Sequence, residues 1–406
     1  GGRSVAMLSF ADGRTVVYKP RDSRAGELLS LLQRWLNDRV PELGLMPVAL
    51  VVRDGYGWME FVECAPLAGP ERAEWFYHRQ GALLALLYAT SAADMHCENV
   101  IACGEYPVIV DAETLFHPAL PLPKTVPDPA ADALARSVYR TSLLPSASVG
   151  QDGMWDLSGL GGDRAAGTAT APAAGEPACG DGLRLAVRST TLAPGRNRPW
   201  CDGAVIDPID FHAALLAGFR AGYTAITRDR AGFADLLRAH DGIGTRIVFR
   251  STQGYARLFD DSTRPEALRS ADARDATLGR LRETAGHGTV WSHLVDAELV
   301  DLWRGDIPIM HSRPGTTDVW TSSGHRLPAA LGRSGLATAL ATVTAMDEAD
   351  RRDQEWIIAA SLATRRPVLG TGPGVTPVRR TAAAAADPGR LLAAACGLAD
   401  RIVARG

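Results

Sequence analysis

The chain has 406 residues, 46% of them hydrophobic and 22% charged, and carries a net charge of -3. That length exceeds a usual single core, so two or three domains are expected, and the charge balance excludes a basic face for nucleic acid. The longest apolar run, Gly81 to Tyr88, is far too short to span a bilayer, so no membrane insertion is expected.

Ser4–Phe10 and Thr15–Lys19 read as strands around an Asp12-Gly13 turn, a hairpin signal. Pro20 stops the second strand, and Leu28, Leu29, Leu32, Trp35 and Leu36 give Ala25–Val40 a helical period. Two further strands, Pro47–Val52 and Gly57–Val62, flank Asp54-Gly55. Glu63–Pro70 is an irregular connection, and Glu71–Thr90 is a long helix rich in Ala and Leu. From Pro118 to Pro199 the chain loosens into Pro, Gly, Ala and Ser, with Met154–Gly162 as an ordered island. Helices are expected at Ile209–Thr227, Ala231–His240, Pro265–Asp272, Asp275–Gly286, Val290–Arg304, Arg333–Met346, Glu348–Ala363 and Pro388–Val403. Pro308 and Pro314 break the stretch between the fifth and sixth of these, and the Ala-rich run Thr381–Ala386 reads as a linker.

The stretch Ala92 to Phe116 carries the chemistry. It sets Asp94, His96 and Asn99 in one polar loop, then a hairpin, then Asp111 and Glu113. Two acidic clusters joined by a hairpin suit phosphoryl transfer, in which one carboxylate orients a hydroxyl and Asn and Asp oxygens hold magnesium. A solvated turn followed by an edge strand is the plain alternative for so short a motif. Of 43 basic residues only Lys19 and Lys124 are lysines. A compact ammonium at the end of the second strand suits a phosphate in a narrow site, whereas Lys124 lies in a Pro-rich loop. Glu27 and Glu42 are the candidate partners for Lys19. The order of hairpin with lysine, helix, two strands, long helix, polar loop and acidic pair is that of a protein or lipid kinase core. A G-x-G-x-x-G loop is absent, which favours the lipid-kinase branch. Six cysteines without regular spacing and no signal peptide predict reduced thiols and a cytoplasmic location. His293, His311 and His325 are isolated, and Trp155, Trp291, Trp303 and Trp356 read as packing residues.

Taken together, Gly2–Asp22, Gly57–Val62, the run from Ala82 to Phe116, Asp156–Gly162, Arg246–Phe259 and Gly305–Pro314 resemble the dehydratase domain of class II lanthipeptide synthetases, the LanM family. The resemblance implies an α+β fold with a lipid-kinase-like bilobal core, a long activation-loop-like insertion and a mainly helical C-terminal half. Residues 1–62 would form an incomplete N-lobe and 63–380 a C-lobe with insertion 118–199. Residues 381–406 would be a linker and the first helix of a LanC-like cyclase domain. It implies ATP- and Mg2+-dependent phosphorylation of Ser and Thr in a precursor peptide of leader and core, then elimination to dehydroalanine or dehydrobutyrine. By position, Lys19 would hold ATP phosphates, Asp94 would face the hydroxyl with His96 in support, and Asn99, Asp111 and Glu113 would serve magnesium. Arg246, Arg250 and Thr252 would stabilise the leaving phosphate, and Glu60 would line the nucleotide site. By residue type alone, Arg246–Thr252 reads more readily as a surface ion-pair segment, and only the resemblance lifts it.

The family's D-x-H before the first strand, its preceding helical region and most of its cyclase domain, where Zn2+ would belong, lie outside this sequence. The chain therefore reads as a fragment, expected not to complete lanthipeptide synthesis alone. An export transporter is a further expected partner. The competing readings are a peptide or small-molecule kinase without elimination, and a remnant that binds the leader peptide.

Overall fold

Gly13, at φ 83°, closes the first hairpin of the computed structural model, joining β1 (Ala6–Ser9) to β2 (Thr15–Lys19). The structure describes residues 4–120, 128–150, 153–162, 195–283, 285 and 290–365, with the backbone of four strand segments between 169 and 190. Lys124, the linker and the last expected helix lie outside them, as do the side chains of Trp155 and of 163–194. β2 pairs with β4 (Tyr56–Glu60), which pairs with β3 (Leu50–Arg53), giving an antiparallel sheet of order β1-β2-β4-β3. Alternation does the sorting. Val17 and Met59 face each other on the buried side, whereas Tyr18 and Trp58 face each other on the opposite side, ring centroids 4.9 Å apart. Beneath the sheet lies α1 (Arg24–Arg39), burying Leu28, Leu29, Leu32 and Leu36, the helical stripe expected from the sequence.

The long helix α2 (Arg72–Ala89) is buried on every side from Arg79 onward, which fits the apolar run from Gly81 to its end. It crosses α4 (His212–Arg228) at two glycines. A Cβ on Gly81 would lie 1.9 Å from Leu215 O, and one on Gly218 would lie 1.7 Å from His78 O. α5 (Arg230–Arg238), α10 (Gly335–Ala345) and α11 (Glu348–Ala363) complete this main core. The hairpin β5 (Val100–Cys103) and β6 (Tyr106–Ile109) follows α2.

Parts of the loosened stretch form defined elements. Asp128 caps α3 (Pro129–Leu134), Pro129 sits where a missing N–H costs nothing, and Val138, Leu143, Leu144 and Leu160 enter the main core. β7 (Ala147–Gly150) pairs with β8 (Gly153–Asp156). Then come β9 (Ala169–Thr170), β10 (Ala174–Pro177), β11 (Leu183–Ala186), β12 (Ser189–Thr190), β13 (Trp200–Cys201) and β14 (Ala204–Val205), each paired with one other of this group.

A second core occupies the C-terminal half. It joins α6 (Thr252–Ser262), α7 (Ala271–Leu278), α8 (Arg280–Glu283) and α9 (Val290–Trp303) to a four-stranded sheet. The sheet's strands are β15 (Thr245–Ile247), β16 (Met310–Ser312), β17 (Val319–Trp320) and β18 (Arg326–Leu327). Neither that sheet nor α6 was expected. The helix expected at Pro265–Asp272 is a 3-10 turn at Ala267–Arg269, and Ser270 caps α7 instead. The helix expected at Asp275–Gly286 is split at Gly279 between α7 and α8. The fold is α+β, as expected. Among the described residues Cys64, Cys97, Cys103 and Cys201 are free thiols, and no helix is long and apolar enough to cross a membrane.

Candidate active site

The end of β2, the start of α1 and the segment after β6 enclose a narrow cleft. Lys19, Arg21, Asp22, Asp111 and Glu113 form its polar end, and Leu29, Val48, Leu50 and Met59 its apolar end. Lys19 is 9% exposed and donates through Nζ to Val110 O at 2.5 Å. Burial lowers the pKa of its ammonium; Asp111 and Glu113 oppose this, and Arg21 adds to it. Its acidic neighbours are therefore Asp111 and Glu113, not Glu27 or Glu42, which are both exposed.

Two loops bring the acidic groups together. The backbone after α2 zips to the segment after Asp111: Phe116 N–H donates to Thr90 O at 3.0 Å, and His117 N–H donates to Ser91 O at 3.1 Å. Thr114 Oγ1 donates to Ala93 O. Ser91, Asp94 and Phe116 take positive φ values of 53°, 60° and 56°. Left-handed backbone is uncommon without glycine and is kept where its surroundings impose it, often at functional sites. Asn99 Nδ2 donates to Asp94 O at 2.7 Å, Asn99 N–H donates to His96 O at 3.0 Å, and Val110 N–H donates to Asn99 O at 3.0 Å. Asn99 thus ties the Asp94 loop to the strand that leads to Asp111. His96 forms a bridge with Ser158, and its Nδ1 accepts from Glu98 N–H at 3.3 Å.

The carboxylates are crowded and partly dry. Burial raises the Asp94 pKa against the pull of His96 and Arg246, with Asp111 adding to the rise. Burial and then Asp111 raise the Glu113 pKa, against Arg21 and Arg246. Arg21 spans the pair, with one guanidinium nitrogen 2.5 Å from Asp111 Oδ2 and the other 2.8 Å from Glu113 Oε2.

Arg246, on β15, approaches from the second core. Its Nη1 donates to Glu113 Oε1 at 2.7 Å, its N–H to Glu113 O at 2.7 Å, and its Nη2 to Thr252 Oγ1 at 3.3 Å. Burial works against its charge, but Glu113, Asp94 and Asp111 more than offset this and raise its pKa. Thr252 opens α6, where the Ser251 side chain caps by accepting from Gly254 N–H.

Eight of the ten expected site residues are therefore brought together: Lys19, Asp94, His96, Asn99, Asp111, Glu113, Arg246 and Thr252. Two are not. Arg250 turns away into the second core, where Nε donates to Glu298 Oε1 at 3.1 Å and the guanidinium lies 5.2 Å from the Trp291 ring centroid. Glu60 is exposed and accepts from Ala49 N–H at 2.7 Å; its neighbour Met59 is the β4 side chain that lines the cleft. Sequence reasoning assigned no role to Arg21, whose signal was its place beside Lys19. Nor did it single out buried His117, whose Nε2 accepts from Val248 N–H at 3.0 Å.

No group of three or more His, Cys, Asp or Glu side chains among the described residues is arranged to hold a metal ion. The donor set still fits magnesium, which takes one or two carboxylates and completes its shell with water and phosphate. Asp111 and Glu113 supply hard oxygens that already draw two guanidinium groups.

The chain is 27% identical over 231 residues to the lacticin 481/lactococcin biosynthesis protein LcnDR2 of Lactococcus lactis subsp. lactis. The match takes in 52% of this chain and 23% of that protein, so it spans under a quarter of the relative's length. This bears out the resemblance to a LanM-type synthetase domain drawn from the motifs. Residues 1–313 match the family described as a domain of unknown function, DUF4135, and the chain belongs to that family.

Proposed function

We propose that the chain is a lanthipeptide dehydratase, which phosphorylates Ser and Thr of a ribosomal precursor peptide and then eliminates the phosphate to leave dehydroalanine or dehydrobutyrine. The relative's part in lacticin 481 and lactococcin biosynthesis supports a peptide substrate. An export transporter belongs to the same reading as a partner. The lysine-bearing hairpin, the cleft and the acidic hairpin follow the order of a lipid-kinase-like bilobal core, and we read the fold as one.

ATP with Mg2+ would supply the phosphoryl group and neutralise charge on the phosphates. Lys19 is held at the polar end of the cleft, where an ammonium meets phosphate oxygens. Asp94 is fixed by its constrained backbone and by Asn99, and it orients the attacking hydroxyl and takes up its proton. Asn99, Asp111 and Glu113 are the residues that would hold the divalent cation. In the second step the proton next to the carbonyl is removed as phosphate departs with the bonding electrons. The Arg246 guanidinium and the Thr252 hydroxyl are placed together to meet that leaving charge.

One observation carries the reading: Arg246 touches Glu113 and Thr252 at once, so the acidic cluster and the elimination segment form a single site. The test is mass spectrometry of a Ser/Thr-rich precursor peptide incubated with the protein, ATP and Mg2+. The wild type is expected to remove one water per reacting residue, and Asp94→Asn to slow ATP-dependent modification by about 10²-fold or more. Unchanged modification by Asp94→Asn would reject the assignment.

A further inference from the structure

Arg21 is the one cation of the cleft for which the proposed reaction names no task. Its side chain is about one-third exposed, and its fork does not grip one carboxylate in the usual bidentate way. It spans two, Asp111 and Glu113, with contacts of 2.5 Å and 2.8 Å. These are two of the three residues that would hold the divalent cation. A guanidinium and a divalent ion held by the same carboxylates compete, because the two positive charges repel and both draw on the same acceptor oxygens.

The charge count points the same way. Asp94, Asp111 and Glu113 supply three negative charges, and Lys19, Arg21 and Arg246 supply three positive ones, each linked electrostatically to others of the set. With no ligand bound, these six charges balance; Asp22, also at the polar end of the cleft, is paired separately with Arg24. A nucleoside triphosphate with one divalent cation brings net negative charge into this half-buried space. If the cation takes over Asp111 and Glu113, Arg21 is released with its charge intact beside Lys19, where phosphate oxygens would lie. Arg21 lies two residues past the strand end, after Pro20, and is about one-third exposed, whereas Lys19 is buried and anchored to Val110 O.

We propose that Arg21 is an internal counter-cation for the acidic pair. It holds Asp111 and Glu113 in the empty site, yields them to the divalent ion, and then binds nucleotide phosphate. This inference rests on the reading of Asp111 and Glu113 as metal ligands, and it gives Arg21 opposite effects on two binding steps.

The experiment measures free Mn2+ by electron paramagnetic resonance in titrations of the whole protein, first without nucleotide and then with a non-hydrolysable ATP analogue. Wild type, Arg21→Ala, Arg21→Lys and Asp111→Asn are compared, each checked for folding by circular dichroism. Removing the competing guanidinium should tighten nucleotide-free Mn2+ binding by about tenfold in Arg21→Ala, a modest electrostatic effect. Binding of the Mn2+–analogue complex should weaken by a similar factor, with Arg21→Lys between wild type and Arg21→Ala in both titrations. Binding that is lost in Asp111→Asn but unchanged or weaker in Arg21→Ala would overturn the role of Arg21 and leave the metal site standing. Binding insensitive to Asp111→Asn in every background would overturn the metal site, and the role of Arg21 with it.

Discussion

Arg246 is bound to Glu113 twice, its Nη1 donating to Oε1 and its backbone N–H donating to the carbonyl oxygen, both at 2.7 Å. The backbone bond fixes where β15 starts, and the side-chain bond fixes where the guanidinium points. Because Glu113 lies between Ala112 and Leu115 of the main core and Arg246 beside Ile247 of the second core, this residue pair is also a seam between the two. His117 adds a second stitch a few residues on, accepting from Val248 N–H.

Glu298 should be a large contributor to the second core. It is 1% exposed on α9, accepts from Tyr255 Oη at 2.5 Å and from Arg250 Nε at 3.1 Å, and so holds both ends of the turn from Arg250 into α6. Glu298→Ala leaves a half-buried guanidinium without its carboxylate, a loss that costs about 3–5 kcal/mol when a buried pair is broken. Denaturant unfolding should show it. Pairing Glu298→Ala with Arg250→Met should recover part of the loss, and additive effects would deny the coupling.

His117 makes stability depend on acid. Burial, with Arg140 adding to it, lowers its imidazole from 6.5 to about 4, and its Nε2 must stay unprotonated to accept from Val248. Between those two values the unfolded chain binds the proton and the folded chain does not, so stability falls as pH drops from 6.5 towards 4. The full loss amounts to at most about 3 kcal/mol. His117→Gln should be less stable at neutral pH and flatter across that window. A slope as steep as the wild type's would assign the acid sensitivity to other groups.

The crossing of α2 and α4 should tolerate no added methyl. At Gly81 and Gly218 the obstruction is backbone carbonyl oxygen, which cannot rotate away as a side chain can. Gly81→Ala and Gly218→Ala should each cost about 1–3 kcal/mol or more by forcing the helices apart. The better helix propensity of alanine returns only about 1 kcal/mol. Thermal unfolding of either variant at the wild-type midpoint would show that the helices can separate freely.

Local signals made much of this legible in advance. The Asp12-Gly13 turn, the Leu stripe of α1 and the Ala- and Leu-rich run of α2 are short-range patterns, and each element stands where its pattern put it. The acidic cluster was legible too, because Asp94 and Glu113 belong to one continuous polar-hairpin-polar run. What joins that run to the rest was not. Arg246 lies 133 residues from Glu113, and no periodicity reports such a pairing. The strands β15 to β18 are two or three residues long, too short for alternation to show. α6 was hidden by Gly254 in its first turn, although Ser251 is a good N-cap. Arg250 resembled Arg246 by residue type, and the partners that separate them, Glu298 and Glu113, lie far away in sequence.

We propose that one site both places and removes phosphate, with Arg246 shared between the two steps. Mass spectrometry of precursor peptide treated with Arg246→Ala, ATP and Mg2+ tests it most directly. With Arg246→Ala, phosphorylated peptide is expected to accumulate, while the wild type yields dehydrated peptide. Dehydration by Arg246→Ala at the wild-type rate, with no phosphopeptide, would contradict it.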